Sequence, residues 1–395
     1  MSEVVKVISS ALISNHSKIN IEDVLWQEVY TASHAHLLHF VVFDYYNIHW
    51  SEEFKKSCLY KKWRQEFVQY VTTQSYEYRN TLKLLERLQN KGFEFIMLKG
   101  PTISELYFNS NTRIMSDIDI LINPEHLEQV ELFFLESGFN CINKSDKDYV
   151  FFKKGFLKIE LHFSLFHKKH YNDFRWFEDE CFRNKLKHND LPGYVLAPSD
   201  SLTYIIIHAA KHITSTGTGL RSLFDIWIYY VSNCSEINFN RLEQNLIKFN
   251  RYTLSQYLFY LSNIQFGEKF DVKMEINTDV ASKLLDILFN SGAYGHWNNS
   301  QVDMIYVNNY VKVNNVFLKK MYAIFLPLSE MKKRFEVLKE KPYLLPIYWY
   351  KRGVLILKKN KNLSSKFIKS NLRFDDIKEK KEVISFLLDD IEMES

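Results

Sequence analysis

The chain has 395 residues, 46% of them hydrophobic and 25% charged, with 51 basic and 47 acidic side chains that leave a formal net charge of +4. That balance excludes wholesale disorder, and it lacks the strong basic excess of a dedicated nucleic-acid binder, although a local basic stripe fits inside a balanced total. Cys58, Cys141, Cys181 and Cys234 are far apart, which argues against a disulfide framework or a structural zinc site and fits a reducing compartment.

Residues 1–90 read as a helical segment. Leu82, Leu84, Leu85 and Leu88 recur at helical spacing, and Asn90-Lys91-Gly92 supplies a stop. The first residues, Met1 to Ile13, show no basic segment followed by a long apolar core, so no signal peptide is expected. No window reaches the ~18 consecutive apolar residues of a membrane span; the longest candidate, Leu202 to Ala210, is broken by Thr203 and His208. A cytoplasmic protein is the expectation.

Residues 91–195 change period. Phe93 to Leu98 is a short apolar run, read as a buried strand. Gly100-Pro101 opens a helix expected to reach about Tyr107. Asp117 to Ile122 is a second strand, and Asn123-Pro124 starts a helix ending near Gly138. Tyr149 to Lys153 and Phe156 to Phe163 are two further strands about a turn at Lys154-Gly155. Residues 196–290 return to helix, with clear segments at Leu202 to Ile213, Leu220 to Val231, Phe239 to Phe249 and Thr253 to Phe266. Residues 291–395 parse less cleanly and include a stretch, Lys351 to Arg373, with eight Lys or Arg and no Asp or Glu. A solvated face is its simplest reading, contact with RNA, an anionic polymer or a membrane surface the sharper one.

Chemistry concentrates in the second unit. Side chains alternate along a strand, so Asp117 and Asp119 share one face while Ile118 and Ile120 point to the core. Adjacent carboxylates repel, and a divalent cation resolves that conflict; Mg²⁺ takes one or two carboxylates plus substrate phosphates. Lys158-Ile159-Glu160-Leu161-His162 repeats the alternation. If it lies beside the first strand, Glu160 becomes a third metal ligand and a proton acceptor near the nucleophile. Lys99, Gly100 at a helix start, and Arg113 offer positive charge and backbone N–H groups to phosphates. His162 is read as a packing or hydrogen-bonding neighbour. His208 and His212 have a zinc-like spacing but no further ligand, so packing or lining of an acceptor cleft is expected. Arg221 and Asp225 read as a helix-surface ion pair.

The pattern Leu98-Lys99-Gly100, Arg113, Asp117-Ile118-Asp119-Ile120-Leu121-Ile122 and Glu160-Leu161-His162 resembles the uncharacterised nucleotidyltransferase family of the DNA polymerase β-like superfamily. Leu196-Ala197-Pro198-Ser199-Asp200, His208, His212 and Leu220 to Asp225 are similar to its second region, and Phe325 to Arg352 to its C-terminal helices. The resemblance implies an α+β fold: a small mixed sheet with flanking helices, a helical segment before it and a helical domain after it that covers the cleft. It also implies transfer of a nucleoside monophosphate, AMP from ATP first among them, to a hydroxyl acceptor with release of pyrophosphate. Mg²⁺ (or Mn²⁺) would be held by Asp117, Asp119 and Glu160. The acceptor (small molecule, sugar, protein or RNA) and the oligomeric state stay open. Superfamily members usually carry Gly-Ser where this chain has Lys99-Gly100, which leaves Lys99 to replace the serine contact to phosphate. The rival readings are a non-catalytic nucleotide-binding or regulatory protein of the same fold, and a glycosyltransferase with a metal-binding Asp-x-Asp.

Overall fold

The computed structural model describes residues 3–15, 19–167, 171–214 and 218–293, together with parts of 325–351 and residues 382–388. Apart from Lys351, the basic stretch that ends at Arg373 lies outside the described residues.

Five helices open the chain: α1 (Glu3–Leu12), α2 (Trp26–Ala35), α3 (His39–Tyr46), α4 (Glu52–Lys56) and α5 (Cys58–Asn90). Ser57 caps α5 by accepting the N–H of Tyr60. At 33 residues α5 is about 50 Å long. Trp63 near its start packs in the core of the helical part, whereas Leu84, Leu85 and Leu88 near its end pack under the sheet. One helix thus joins two cores.

The sheet follows: β1 (Phe95–Met97), α6 (Pro101–Ser104), β2 (Asp117–Ile122), α7 (Leu127–Glu136), β3 (Asn140–Lys144), β4 (Asp148–Phe152), β5 (Lys158–His162), α8 (Tyr171–Arg183), β6 (Leu186–Lys187) and β7 (Tyr194–Val195). Its order is β3-β4-β5-β2-β1-β7-β6. β2 pairs antiparallel with β1 and parallel with β5, and the parallel register sets Asp119 opposite Glu160. Ile118, Ile120, Ile159 and Leu161 are fully buried on one face against α5 and α7. On the other face Ile96, Leu98 and Leu121 meet Phe177 of α8 and Tyr204.

Tyr204 belongs to α9 (Pro198–Thr214), which is followed by α10 (Leu220–Asn233), α11 (Phe239–Lys248), α12 (Tyr252–Phe266) and α13 (Thr278–Ser291). These helices and the opening ones share a single apolar core, in which Val7, Ile8, Leu38 and Tyr46 pack with Ile206, Leu223, Leu254 and Leu284. No described helix is long and apolar enough to cross a membrane.

The fold is α+β, with one mixed sheet, as expected. Three details differ. The helix opened by Pro101 is a single turn that stops at Ser104, and Asn109 then starts a short 3₁₀ turn by accepting the N–H of Asn111. β3 and the two-residue β6 and β7 were not anticipated: the first is a polar edge strand and the others are too short for any period. Asp225 is no surface residue either. It is buried on α10 and paired with Arg113.

Candidate metal and phosphate site

Asp117 and Asp119 stand two residues apart on β2 and therefore on one face. Asp119 is only 5% exposed, and Glu160 beside it on β5 is half-buried. Carboxylate oxygens of Asp119 and Glu160 and a ring nitrogen of His162 all lie within 4.8 Å of one another, a spacing one cation spans. Asp117 stands outside that trio, its carboxylate accepting a hydrogen bond from Ser116 Oγ at 3.0 Å. Its charge still reaches Glu160.

The electrostatics divide the two central carboxylates. Burial by itself raises the pKa of Asp119, but the Lys99 ammonium and then His162 outweigh it, so the carboxyl sits well below the usual range. Glu160 goes the other way. Burial first, then the negative charge of Asp119 and Asp117, pushes its carboxyl up to about 8. A crowded acid of this kind holds a proton at neutrality and gives it up when a cation takes its place. The donor set of two carboxylates and an imidazole therefore fits a divalent ion.

His162 is buried and orients the trio. Its Nε2 lies 3.1 Å from Asp119 Oδ1 and 3.8 Å from Glu160 Oε2. On the other side of the ring, Nδ1 is 3.8 Å from Asp148 Oδ2, which is itself held by Lys147 at 2.7 Å and whose other oxygen accepts from Ser145 Oγ. At 3.8 Å the Asp148 contact is one of charge and not a hydrogen bond: Nδ1 is buried with no hydrogen-bond partner among the described residues, so the ring is held through Nε2 and Asp119.

Lys99 arrives through the β1–β2 pairing: the N–H of Leu98 donates to the carbonyl of Asp119. The chain then turns sharply at Gly100, whose φ of 83° is the left-handed region that favours glycine. Lys99 Nζ consequently lies 3.8 Å from Asp119 Oδ2 and 2.7 Å from His208 Nε2. His208 is on α9, and burial first and Lys99 second keep its pKa well below the usual value. It is thus neutral and accepts the Lys99 proton donor. His212 Nε2 lies 3.3 Å from the same ring, and the charge of Lys211, between them in sequence, is felt by neighbours that include Lys99, Lys147 and Glu160.

The structure thus brings Asp119, Glu160 and Lys99 together, with Asp117 and Gly100 at the margin. Arg113 is the correction. It is 4% exposed, with Nε donating to Asp225 Oδ1 at 3.0 Å and Nη2 to Oδ2 at 2.8 Å. Its fork is engaged deep between the loop and α10, so it is not a phosphate contact. The role read into Gly100 also shrinks, because α6 is one turn long and carries little dipole. What sequence reasoning undervalued is α9. Its Tyr204, His208, Lys211 and His212 fall at helical spacing on a largely apolar helix, and that polar stripe was the available signal.

A model of a family described as uncharacterised nucleotidyltransferase matches residues 22–267. The chain belongs to that family. Its matched region takes in the sheet, the trio and α9. No curated protein and no solved structure matches the chain.

Proposed function

We propose that the protein is a divalent-metal-dependent nucleotidyltransferase that moves a nucleoside monophosphate, AMP from ATP in the first instance, onto a hydroxyl acceptor and releases pyrophosphate. The observation that carries this reading is the placement of Glu160 directly across from Asp119 on parallel strands, with Lys99 at 3.8 Å. Negative groups that would hold a cation and a positive group that would meet phosphate stand side by side.

In this reading Asp119 and Glu160, with Asp117 at the margin, hold Mg²⁺ or Mn²⁺. A divalent ion held there would supply Lewis-acid polarisation of the α-phosphate and a lower pKa for the attacking hydroxyl. His162 fixes the Asp119 carboxylate. The second oxygen of the Glu160 carboxylate takes the hydroxyl proton as the acceptor oxygen bonds to the α-phosphorus. The bond from the α-phosphorus to its bridging oxygen breaks, and pyrophosphate leaves with the electron pair. Lys99 turns from His208 to the leaving phosphates, and the α9 stripe of His208, Lys211 and His212 forms the opposite wall.

The test is incubation of the purified protein with Mg²⁺, a cell extract and each α-labelled nucleoside triphosphate in turn. Label in a product that disappears with Asp119→Ala supports the assignment. Transfer from a labelled sugar nucleotide instead would make it a glycosyltransferase. Nucleotide binding with no transfer under any of these conditions would make it a regulatory member of the fold.

A further inference from the structure

Three residues before β2 are held in an unusual way. The carbonyl of Arg113 accepts from Gln74 Nε2 at 3.2 Å, and that of Ile114 accepts from Arg221 Nη1 at 3.0 Å. The N–H of Met115 donates to Tyr70 Oη at 3.0 Å and to Gln74 Oε1 at 3.2 Å. Side chains of α5 and α10, rather than a strand, thus satisfy these backbone groups. The Arg113 side chain adds the two-point pair with Asp225, whose Oδ1 also accepts from Tyr107 Oη at 2.7 Å. Arg113, Asp225 and Tyr107 are all at least nine-tenths buried.

A buried ion pair of this kind is poor value as a stabiliser, because desolvating both charges offsets most of their attraction; apolar residues of similar volume often serve the fold equally well. What it does supply is a fixed distance and direction. One end of the tie is the segment that leads straight into Asp117. The other is α10, which follows α9 and its His208 and Lys211. We propose that Arg113 and Asp225 are positioning residues, which set the start of β2 against the α9–α10 pair and so hold the carboxylates and the phosphate-facing wall at working separation. This rests on the metal-site reading above.

The experiment measures the affinity of the full chain for Mn²⁺ alone and for Mn²⁺ with ATP, alongside the thermal midpoint. The main variant is Arg113→Met with Asp225→Leu and Tyr107→Phe, so that no charge or hydroxyl is left unpaired in the core. The expected result is a thermal midpoint close to wild type and affinity for Mn²⁺, or for Mn²⁺ with ATP, weakened about tenfold or more, the loss typical when groups behind a metal ligand are removed. A folded variant with both affinities within about twofold of wild type overturns the proposal, since a purely structural pair would behave so. If the triple variant does not fold, Arg113→Lys decides: it keeps the charge and loses the fork. Weaker affinity at an unchanged midpoint supports positioning, and unchanged affinity overturns it. Asp119→Ala separates the two readings. If it loses Mn²⁺ while the pair variants do not, only the positioning role falls; if it binds Mn²⁺ as wild type does, the metal site falls and this proposal with it.

Discussion

The two faces of the β2–β5 pair are made by the same ten or so residues and the same hydrogen-bond ladder, yet they are built to opposite ends. On one face Ile118, Ile120, Ile159 and Leu161 are sealed completely. On the other, Asp117, Asp119, Glu160 and His162 crowd together, and the fold tolerates a carboxyl whose charge it disfavours. Alternation with a period of two is what allows a strand to be both core and site. The difference marks where stability is given up, and in the metal-site reading a bound cation would offset the crowding of like charges.

The largest separation should come from two neighbouring positions. Asp119→Ala is expected to cut divalent-dependent transfer of label by roughly a hundred- to a thousandfold, the loss typical when one stabilising group at the reacting centre is removed, while leaving the thermal midpoint near wild type. Ile120→Ala is expected to do the reverse. It removes a fully buried side chain and should cost about 2–5 kcal/mol of stability, with activity per folded molecule retained. Thermal melts and initial rates on the two proteins check both. Equal effects on both readouts would mean that the faces are not specialised as described.

Glu160→Gln sharpens the contrast with a smaller change. The folded-state carboxyl titrates above its ordinary value, so the native protein binds that proton more tightly than the unfolded chain does. The stability it contributes is present below the ordinary carboxylate range and is lost as pH rises towards about 8. Gln cannot ionise and keeps the shape. Without metal, the variant is expected to melt about 1 °C higher at neutral pH for each kcal/mol gained, the gain being on the order of 1 kcal/mol or more, and to show no gain at pH 4. Added Mn²⁺ should raise the midpoint of wild type and not of the variant, and its affinity for wild type should increase with pH up to about 8. A variant that melts lower than wild type at neutral pH would show that Glu160 is not under charge strain.

Much of this geometry was legible in the sequence, and for a physical reason. The alternation in Asp117 to Ile122 and in Lys158 to His162 fixes which side chains share a face, and the strand bounds agree residue for residue with the first of these segments. Arg113 was misread because charge near a site in sequence says nothing about its partner in space, and that partner lies 112 residues away on α10. Asp225 was misread for the same cause: the i, i+4 neighbour, Arg221, is turned to the Ile114 carbonyl instead. The short β6 and β7 carry no period at all. Long-range pairing is decided by the whole fold, and only local pattern is written in a single segment.

The smallest expected effect concerns the opposite wall. His208 is kept neutral by burial first and by Lys99 second, and Lys99 Nζ donates to its Nε2 at 2.7 Å. A histidine whose folded pKa is depressed contributes stability that is present above its ordinary value near 6.5 and is lost as pH falls towards the folded value. Protonating it would set two cations against each other. His212, depressed to about 4 by burial and then by Lys99, acts in the same sense. His208→Gln retains an acceptor for Lys99 without a proton to gain, so its midpoint should fall less steeply than that of wild type between pH 6.5 and 4, with little difference at pH 8. Parallel curves for the two proteins would remove His208 from the acid response. A shallower curve would mean that Lys99 is held by an uncharged histidine as well as by Asp119 at 3.8 Å, so the hydrogen bond it exchanges for one to a phosphate is to a neutral partner.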